Sequence, residues 1–245
     1  MTLERLYYEL RLMGKRVILT PVLLATGFAL FAAFLATRQI DPARFLSGGL
    51  EMLLPLATGM IVATIASHDP ALELQLTVPR AYAATAVKRM ALVAGWAIAI
   101  ALLASALLSA LRLTYVPQQL NSWPTALAFL TNQLTWLAPL CWMVAIGLCL
   151  ALLLRSRTAS SAIVGGIWIL EIIFKDGLAA IPWLHPVLLF PTTLILFPSP
   201  FISNDVFWTW LTSRCEILGT GLLLLVLAWL LLRNPEGLLK GASEE

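Results

Sequence analysis

The sequence predicts an all-α protein that crosses a membrane several times, and three observations support this. Hydrophobic residues make up 60% of the 245 residues, charged residues make up 12%, and the mean hydropathy is +0.89. Several apolar stretches reach roughly 20 residues, the length that a helix needs to cross about 30 Å of hydrocarbon. No polar block is long enough to form a soluble domain. We therefore treat residues 1–245 as a single transmembrane domain.

Residues 1–16 are predicted to form an N-terminal amphipathic elbow helix at the inner membrane surface. Leu3, Leu6 and Leu10 fall on one helical face, whereas Arg5 and Arg11 fall largely on the other. The alternative is a solvated extension that happens to be amphipathic.

Six transmembrane helices are predicted, because only helices satisfy their own backbone groups in lipid. They cover residues 17–36, 50–67, 90–111, 125–154, 158–174 and 215–232. The fourth is long and contains Pro139, which predicts a kink. A cleaved signal peptide is an alternative for residues 1–36, although an apolar run of about 20 residues is long for one.

Residues 177–210 are predicted to form short, broken re-entrant helices on the outer side, between helices five and six. The segment lacks acidic and basic residues from 177 to 204, but its prolines interrupt any helix, at positions Pro182, Pro186, Pro191, Pro198 and Pro200. Trp183, Trp208 and Trp210 are expected at headgroup level.

The distribution of Lys and Arg predicts that both termini are cytoplasmic. With that orientation eleven basic residues lie inside, and five lie outside: Arg38, Arg44, Arg112, Lys175 and Arg214. The net charge of +3 reflects this bias and gives no reason to expect nucleic acid as a partner. The predicted location is the cell membrane, with a bacterial source expected.

Motifs for catalysis and metal binding are absent from the sequence. There is no G-x-S-x-G and no H-E-x-x-H, and the three cysteines lie in apolar stretches, where they are expected to pack as small hydrophobic residues. We expect no metal, no cofactor bound by this chain and no enzymatic activity of its own. The histidine at position 185 is expected to be a hydrogen-bonded residue at the membrane interface, with a haem ligand as the alternative.

The predicted cytoplasmic loop at 69–80 has the signals of a short, stiff helix. Asp69 can cap a helix whose first residue is Pro70, and Pro79 is predicted to end it. Such a helix could receive force from a cytosolic partner, and a solvated turn without a partner is the alternative.

The order of motifs around this loop resembles the membrane subunit of type 2 ATP-binding-cassette exporters. The run Glu51-Met-Leu-Leu-Pro55-Leu is followed by Asp69, by Glu73-Leu74, by Thr77-Val-Pro79-Arg80 and by Lys88. The elbow, the six crossings, the basic turn Arg155-Ser-Arg157 and the broken outer helices extend the likeness over the chain. Two features depart from the family pattern: Val78 replaces a leucine or serine-type residue, and no large soluble ectodomain is present.

The resemblance implies a permease subunit that forms half of a translocation pathway. Cytosolic ATPase subunits would bind ATP and Mg²⁺, and a second permease subunit, identical or related, would complete the pathway. The absence of G-x-x-x-x-G-K-[ST] from this chain agrees with a separate ATPase. Contacts with that ATPase are expected at Asp69, Glu73, Pro79 and Arg80.

Charged residues inside crossings are further candidates for function, because each costs roughly 2.5–3.5 kcal/mol to insert. Glu171 and Lys175 are spaced to pair across one helical turn. They are expected either to anchor the fifth helix or to line a pathway or gate together with Phe190 and Phe197. Glu51 and Glu216 are expected at helix ends within reach of water, in structural roles.

Two other classes of function stay open. One is a membrane scaffold or assembly factor that transports nothing, and the other is an intramembrane enzyme. The aromatic residues on the outer side suit an apolar or amphipathic cargo such as a lipid, a drug or a peptide. Neither the cargo nor the choice between a homodimer and a heterodimer is encoded in a recognisable motif.

Overall fold

The computed structural model describes residues 14–40, 42–67, 79–111, 113, 117–192 and 204–233, and these residues form helices and turns without a strand. Three predictions fall wholly or mainly outside the described residues. They are the elbow helix before Gly14, the part of the coupling segment at 69–78, and the part of the outer segment at 193–203, which includes Phe197.

The first three long helices follow one another along the chain. Helix α1 is Lys15–Thr37, and helix α3 is Pro79–Ala110. Helix α2 consists of three consecutive stretches, Ala43–Gly48, the π-helical turn Gly49–Leu53, and Leu54–Ser67. The backbone stays in the right-handed helical region at both junctions, so α2 is one rod with a wider turn inside it.

The second half of the described chain contains three more long helices and two 3₁₀ turns. A turn at Gln118–Ser122 leads into helix α4, Thr125–Leu154. Helix α5 is Arg157–Ala180, and its first turn is capped by the Ser156 hydroxyl, which accepts a hydrogen bond from the Ala159 amide at 3.3 Å. The second turn is Pro182–Val187, and helix α6 is Asn204–Leu232.

Five of these helices, α1, α2, α3, α4 and α6, are long and apolar enough to cross a membrane. Their outer surfaces carry large apolar side chains such as Leu30 (73% exposed), Leu103 (60%) and Leu223 (70%). Such surfaces suit contact with acyl chains, because in water they would be unfavourable. Over the residues that the structure describes, the protein is therefore helical and suited to a membrane. Helix α5 is not among the five, and it contains Arg157, Glu171, Lys175 and Asp176.

The helix positions agree with the sequence predictions more closely than the helix ends do. Helix α4 covers the predicted 125–154, with Pro139 inside it. Helix α6 begins at Asn204, although the sequence predicted 215, because the polar residues of its first turns are helical before the apolar run begins.

The boundaries 177–210 of the predicted broken outer segment are wrong at both ends. Helix α5 continues to Ala180 and α6 starts at Asn204, because neither end contains a proline. Between them the described part contains the turn Pro182–Val187 and the non-helical residues 188–190. Trp183 and Trp208 are exposed, whereas Trp210 is buried among protein side chains, and the place of the three residues at headgroup level stays a prediction.

Helix α4 lies at the centre of the core, with α2 on one side and α6 on the other. Glycines allow both close approaches: a Cβ on Gly147 would lie 2.5 Å from the carbonyl oxygen of Gly59, and a Cβ on Gly221 would lie 3.2 Å from Trp142 Cα. Small residues at helix crossings compensate for the weak hydrophobic drive between helices in lipid. A strip of small residues, Ala97, Ala101, Ser105 and Ser109, follows α3 at steps of four residues. Its first three residues are buried, and Ala97 and Ala101 pack with Leu54, Trp136 and Leu140.

Candidate functional site

A cluster of charged and polar side chains is buried where α2, α5 and α6 meet residues 188–192. We call Glu51, Glu171, Thr192 and Arg214 the charged cluster. Glu51 and Arg214 are completely buried, and Glu171 and Thr192 are each 4% exposed. Charged groups rarely reach such burial unless they are paired, so the charged cluster is a candidate functional site.

An ion pair between Glu51 and Arg214 is the centre of the charged cluster. Nη2 of Arg214 contacts Oε1 of Glu51 and also donates a hydrogen bond to the Thr192 hydroxyl at 2.9 Å. The guanidinium and the carboxylate come from α6 and α2, 163 positions apart in the sequence. The pair therefore joins two helices that flank α4.

Helix geometry places these charges well inside the protein. Glu51 lies in the π-helical turn of α2, and Arg214 lies ten residues into α6. At 1.5 Å per residue, Glu51, Glu171 and Arg214 are about 12–15 Å from the nearer ends of their helices. The predictions that Glu51 lies at a water-accessible helix end and that Arg214 lies in an outer loop are both wrong. Both helices begin earlier in the chain than their apolar runs, which moves these residues inward.

The charged cluster holds the backbone in place at Leu189, which is non-helical, and at Thr192. The Leu189 amide donates to Oε2 of Glu171 at 3.2 Å, and the Leu189 carbonyl accepts from Nη1 of Arg214 at 2.8 Å. The Thr192 amide donates to Oε1 of Glu51 at 3.1 Å. Non-helical backbone inside a membrane protein needs such partners, because each unpaired polar backbone group costs roughly several kcal/mol in hydrocarbon.

Thr192 connects the ion pair to Trp210. Its hydroxyl accepts hydrogen bonds from Arg214 Nη2 and from Trp210 Nε1, both at 2.9 Å. Trp210 packs with Leu120 and Phe207, near the 3₁₀ turn that precedes α4. The indole is therefore held by a hydrogen bond at its nitrogen and by apolar packing around its rings.

The charged cluster combines two carboxyl groups with one guanidinium, and its ion pair is closed on all sides by protein. Nε of Arg214 is buried and has no hydrogen-bond partner among the residues that the structure describes. The arrangement is suited to clamping three helices and a backbone segment together. Within the described ranges, no group of three or more His, Cys, Asp or Glu side chains could hold a metal ion.

The structure separates Glu171 from its predicted partner Lys175. The carboxylate of Glu171 points into the protein toward Leu189 and forms no ion pair with Lys175. Glu171 is buried, whereas Lys175 is partly exposed, because residues four apart on a helix are offset by about 40° and here only one of them faces the core. The predicted pair is wrong, but Glu171 itself belongs to the charged cluster.

The other predicted site residues have varied positions. Phe190 is fully buried in a core with Ala138, Trp142 and Met143. Its role in a pathway or gate stays a prediction. Pro79 and Arg80 are the first two residues of α3, so Pro79 begins a described helix. Asp69, Glu73 and Phe197 lie outside the described residues. The predicted coupling site is thus untested.

His185 and the three cysteines lie outside the charged cluster and can be compared with their predictions. Nε2 of His185 lies 3.2 Å from the Ala179 carbonyl oxygen, which agrees with a hydrogen-bonded histidine. The three cysteines are free thiols: Cys149 is buried, Cys141 is half-buried and Cys215 is exposed. Packing as a small hydrophobic residue inside the protein thus describes Cys149 best.

Sequence reasoning missed the charged cluster because its members carry ordinary local signals. Arg214 directly precedes an apolar run and therefore resembles a loop cation, and Glu51 occupies the same kind of position before the apolar part of α2. Among the four members of the charged cluster, the sequence indicated burial only for Glu171, because this residue lies inside an apolar stretch. Comparison with protein-family models, curated proteins and solved structures gives no match, so the resemblance to exporters depends on the motifs quoted above.

Proposed function

We propose that this chain is the permease subunit of a type 2 ATP-binding-cassette exporter. It would form half of a translocation pathway, paired with a second permease subunit and driven by two cytosolic ATPase subunits that bind ATP and Mg²⁺. The observation that carries the proposal is a broken segment between α5 and α6, which the charged cluster attaches to α2, α5 and α6. The resemblance places such a segment between helices five and six.

Charge at the opposite end of the bundle supports a cytoplasmic face there. Lys15 begins α1, Arg155 follows α4, Arg157 begins α5, and Arg233 follows α6. The positive-inside rule assigns this end to the cytoplasm. In this proposal α5 also crosses the membrane and brings the number of crossings to six. Glu171 is buried in the charged cluster, so its carboxylate is kept away from the lipid.

The transmission of force follows from the position of the coupling segment. Residues 69–80 join α2 to α3, and α3 is a helix of 32 residues that starts at Pro79. A push on this segment would therefore act on the end of a long rod. The tight contacts of α4 with α2 and α6 would make the three helices move together, because packed cores transmit strain.

The test begins with the tagged full-length chain, purified from the membranes of its own host in mild detergent. We expect an ATPase to co-purify in stoichiometric amount, and we expect its ATP hydrolysis in the complex to depend on the coupling segment. The charge reversals Glu73→Lys and Arg80→Glu should reduce hydrolysis or release the ATPase. Arg157→Glu is the matched control, since it reverses an exposed charge at the same end of the bundle outside the coupling segment.

The alternatives give different results in the same experiment. A chain that purifies without an ATPase and cleaves a peptide or lipid bond is an intramembrane enzyme. A chain that purifies with neither property is a scaffold or an assembly factor. Either result would overturn the proposal. The proposal would also be overturned if Glu73→Lys and Arg80→Glu changed the rate of ATP hydrolysis no more than Arg157→Glu does.

A further inference from the structure

An apolar cavity between α1, α2 and α3 adjoins a small polar pocket. The apolar cavity has a volume of about 360 Å³, and Ala25, Phe28, Leu103, Ala104 and Leu107 contribute to its walls. The polar pocket has a volume of about 30 Å³ and is lined by residues that include Ser105, Asn132, Thr135 and Thr192. Leu50 and Leu108 line both, so the two spaces adjoin.

Two hydroxyl groups of the polar pocket have hydrogen atoms to donate. Thr135 is 9% exposed, and its Oγ1 is buried without a hydrogen-bond partner among the described residues. The Thr192 hydroxyl already accepts from Arg214 and Trp210, which uses its two lone pairs and leaves its own hydrogen for an acceptor. Leaving a buried hydroxyl unpaired is unfavourable, so a ligand with an oxygen that accepts hydrogen bonds would bind favourably in the pocket.

We propose that the two spaces together bind one glycerolipid of the surrounding bilayer. An acyl chain would fill the apolar cavity, whose volume is in the range of ligand sites in proteins. The ester carbonyl at the head of that chain would accept hydrogen bonds from Thr135 and Thr192. An ester oxygen is an acceptor only, which matches two donors, and it is attached directly to the apolar chain that the larger cavity requires.

This assignment favours a lipid over a helix of a second protein copy. A transmembrane helix would fill an apolar groove, but its carbonyl groups are already paired within the helix and offer little to two buried hydroxyls. The site is independent of the proposed export function. A bound lipid in it would touch Thr192 and hence the charged cluster, but it needs no ATPase.

The test uses the full-length chain in nanodiscs of palmitoyl-oleoyl phosphatidylethanolamine and phosphatidylglycerol, with a trace of phosphatidylglycerol that carries a diazirine on its acyl chain. We expect photolabelling to concentrate on α1, α2 and α3 residues of the cavity wall. Ala104→Phe should fill the cavity and abolish this labelling. Leu223→Phe, on the exposed surface of α6, is the matched control and should leave it unchanged.

The polar end of the site is tested by native mass spectrometry of lipid retained after detergent extraction. Thr135→Val removes the hydroxyl and should weaken retention about fivefold, the factor that one ordinary hydrogen bond contributes. Thr135→Ser keeps the hydroxyl and should retain the lipid. Three results would overturn the proposal: uniform labelling of all exposed helices, labelling insensitive to Ala104→Phe, or equal retention by the Val and Ser variants.

Discussion

Arg214 and Glu51 show how a buried ion pair can be both costly and necessary. Removing two charges from water is unfavourable, and their attraction offsets the cost only when the remaining polar atoms are also paired. Here Nη1 and Nη2 of Arg214 bind a carbonyl, a hydroxyl and a carboxylate, and Glu51 also accepts the Thr192 amide. The pair should therefore matter most when only one of its members is removed.

Single substitution of either member should destabilise the protein strongly. Arg214→Gln leaves the Glu51 carboxylate without its counter-ion, and Glu51→Gln leaves the Arg214 guanidinium without the carboxylate that it contacts. We expect each to lower the free energy of unfolding by about 3–5 kcal/mol. The double variant Glu51→Gln/Arg214→Gln removes both charges of the ion pair, leaves Glu171 as it is in Arg214→Gln, and keeps amide groups for Thr192 and Leu189. It should lose less than the sum of the two single losses.

Unfolding of the purified variants in one defined detergent and lipid mixture measures these differences. Arg157→Gln and Glu216→Gln are the matched controls, because they remove exposed charges of α5 and α6. Each should change the free energy of unfolding by about 0.5 kcal/mol or less. Strict additivity of the two single losses in the double variant would contradict direct coupling between Glu51 and Arg214.

The contact between α2 and α4 depends on the absence of two side chains. Gly59 and Gly147 face each other where the helices meet, and a Cβ on Gly59 would lie 2.7 Å from the Met143 carbonyl oxygen. The obstructing atoms belong to the backbone, so they cannot rotate away as a flexible side chain could. The helices would have to separate.

Gly147→Ala should therefore destabilise the protein, by about 1–3 kcal/mol, the usual cost of forcing atoms into a packed core. Gly165→Ala in α5 is the control, because no atom lies within 4 Å of the position that its Cβ would take. Alanine favours helix over glycine by up to about 1 kcal/mol, so the control should be neutral or stabilising. Thermal unfolding of the two variants would show opposite or clearly unequal shifts, and equal shifts would argue against a tight α2 to α4 contact.

The molecule as a whole has basic residues at one end and the broken segment at the other. This asymmetry is expected of a protein that inserts in one orientation. The exposed Trp183 and Trp208 lie on the end opposite to Lys15, Arg157 and Arg233, where aromatic residues suit a membrane interface. The two ends should therefore differ in their access to reagents outside the cell.

Labelling of single introduced cysteines tests this orientation. In a background with Cys141, Cys149 and Cys215 replaced by alanine, Trp183→Cys should react with an impermeant maleimide in intact cells. Glu73→Cys and Arg157→Cys should react only after the membrane is permeabilised, because they lie at the proposed cytoplasmic end. Reaction of Glu73→Cys in intact cells would overturn the orientation and with it the role of the 69–80 segment in coupling.

Local signals explain how much of the helical architecture the sequence predicts. Helix α4 is correct to its ends because Pro124 precedes it, a long apolar run follows, and the charged residue Arg155 ends that run. The start of α6 was misplaced because polar residues can be helical inside a protein, and an apolar window does not detect them. For the same reason, the prediction placed Glu51 and Arg214 outside the core, because both residues lie in helical turns that an apolar window does not detect.

The amino-acid sequence alone determined that this is a helical membrane protein and where most of its helices run, because apolar length and proline act on their immediate neighbours in the chain. Only the tertiary structure decided that Glu51, Glu171 and Arg214 meet around Leu189 and Thr192. Residues 163 positions apart form an ion pair only when the packing of α2, α4 and α6 brings them together. That packing depends on the shapes of whole helix surfaces, which no local pattern records.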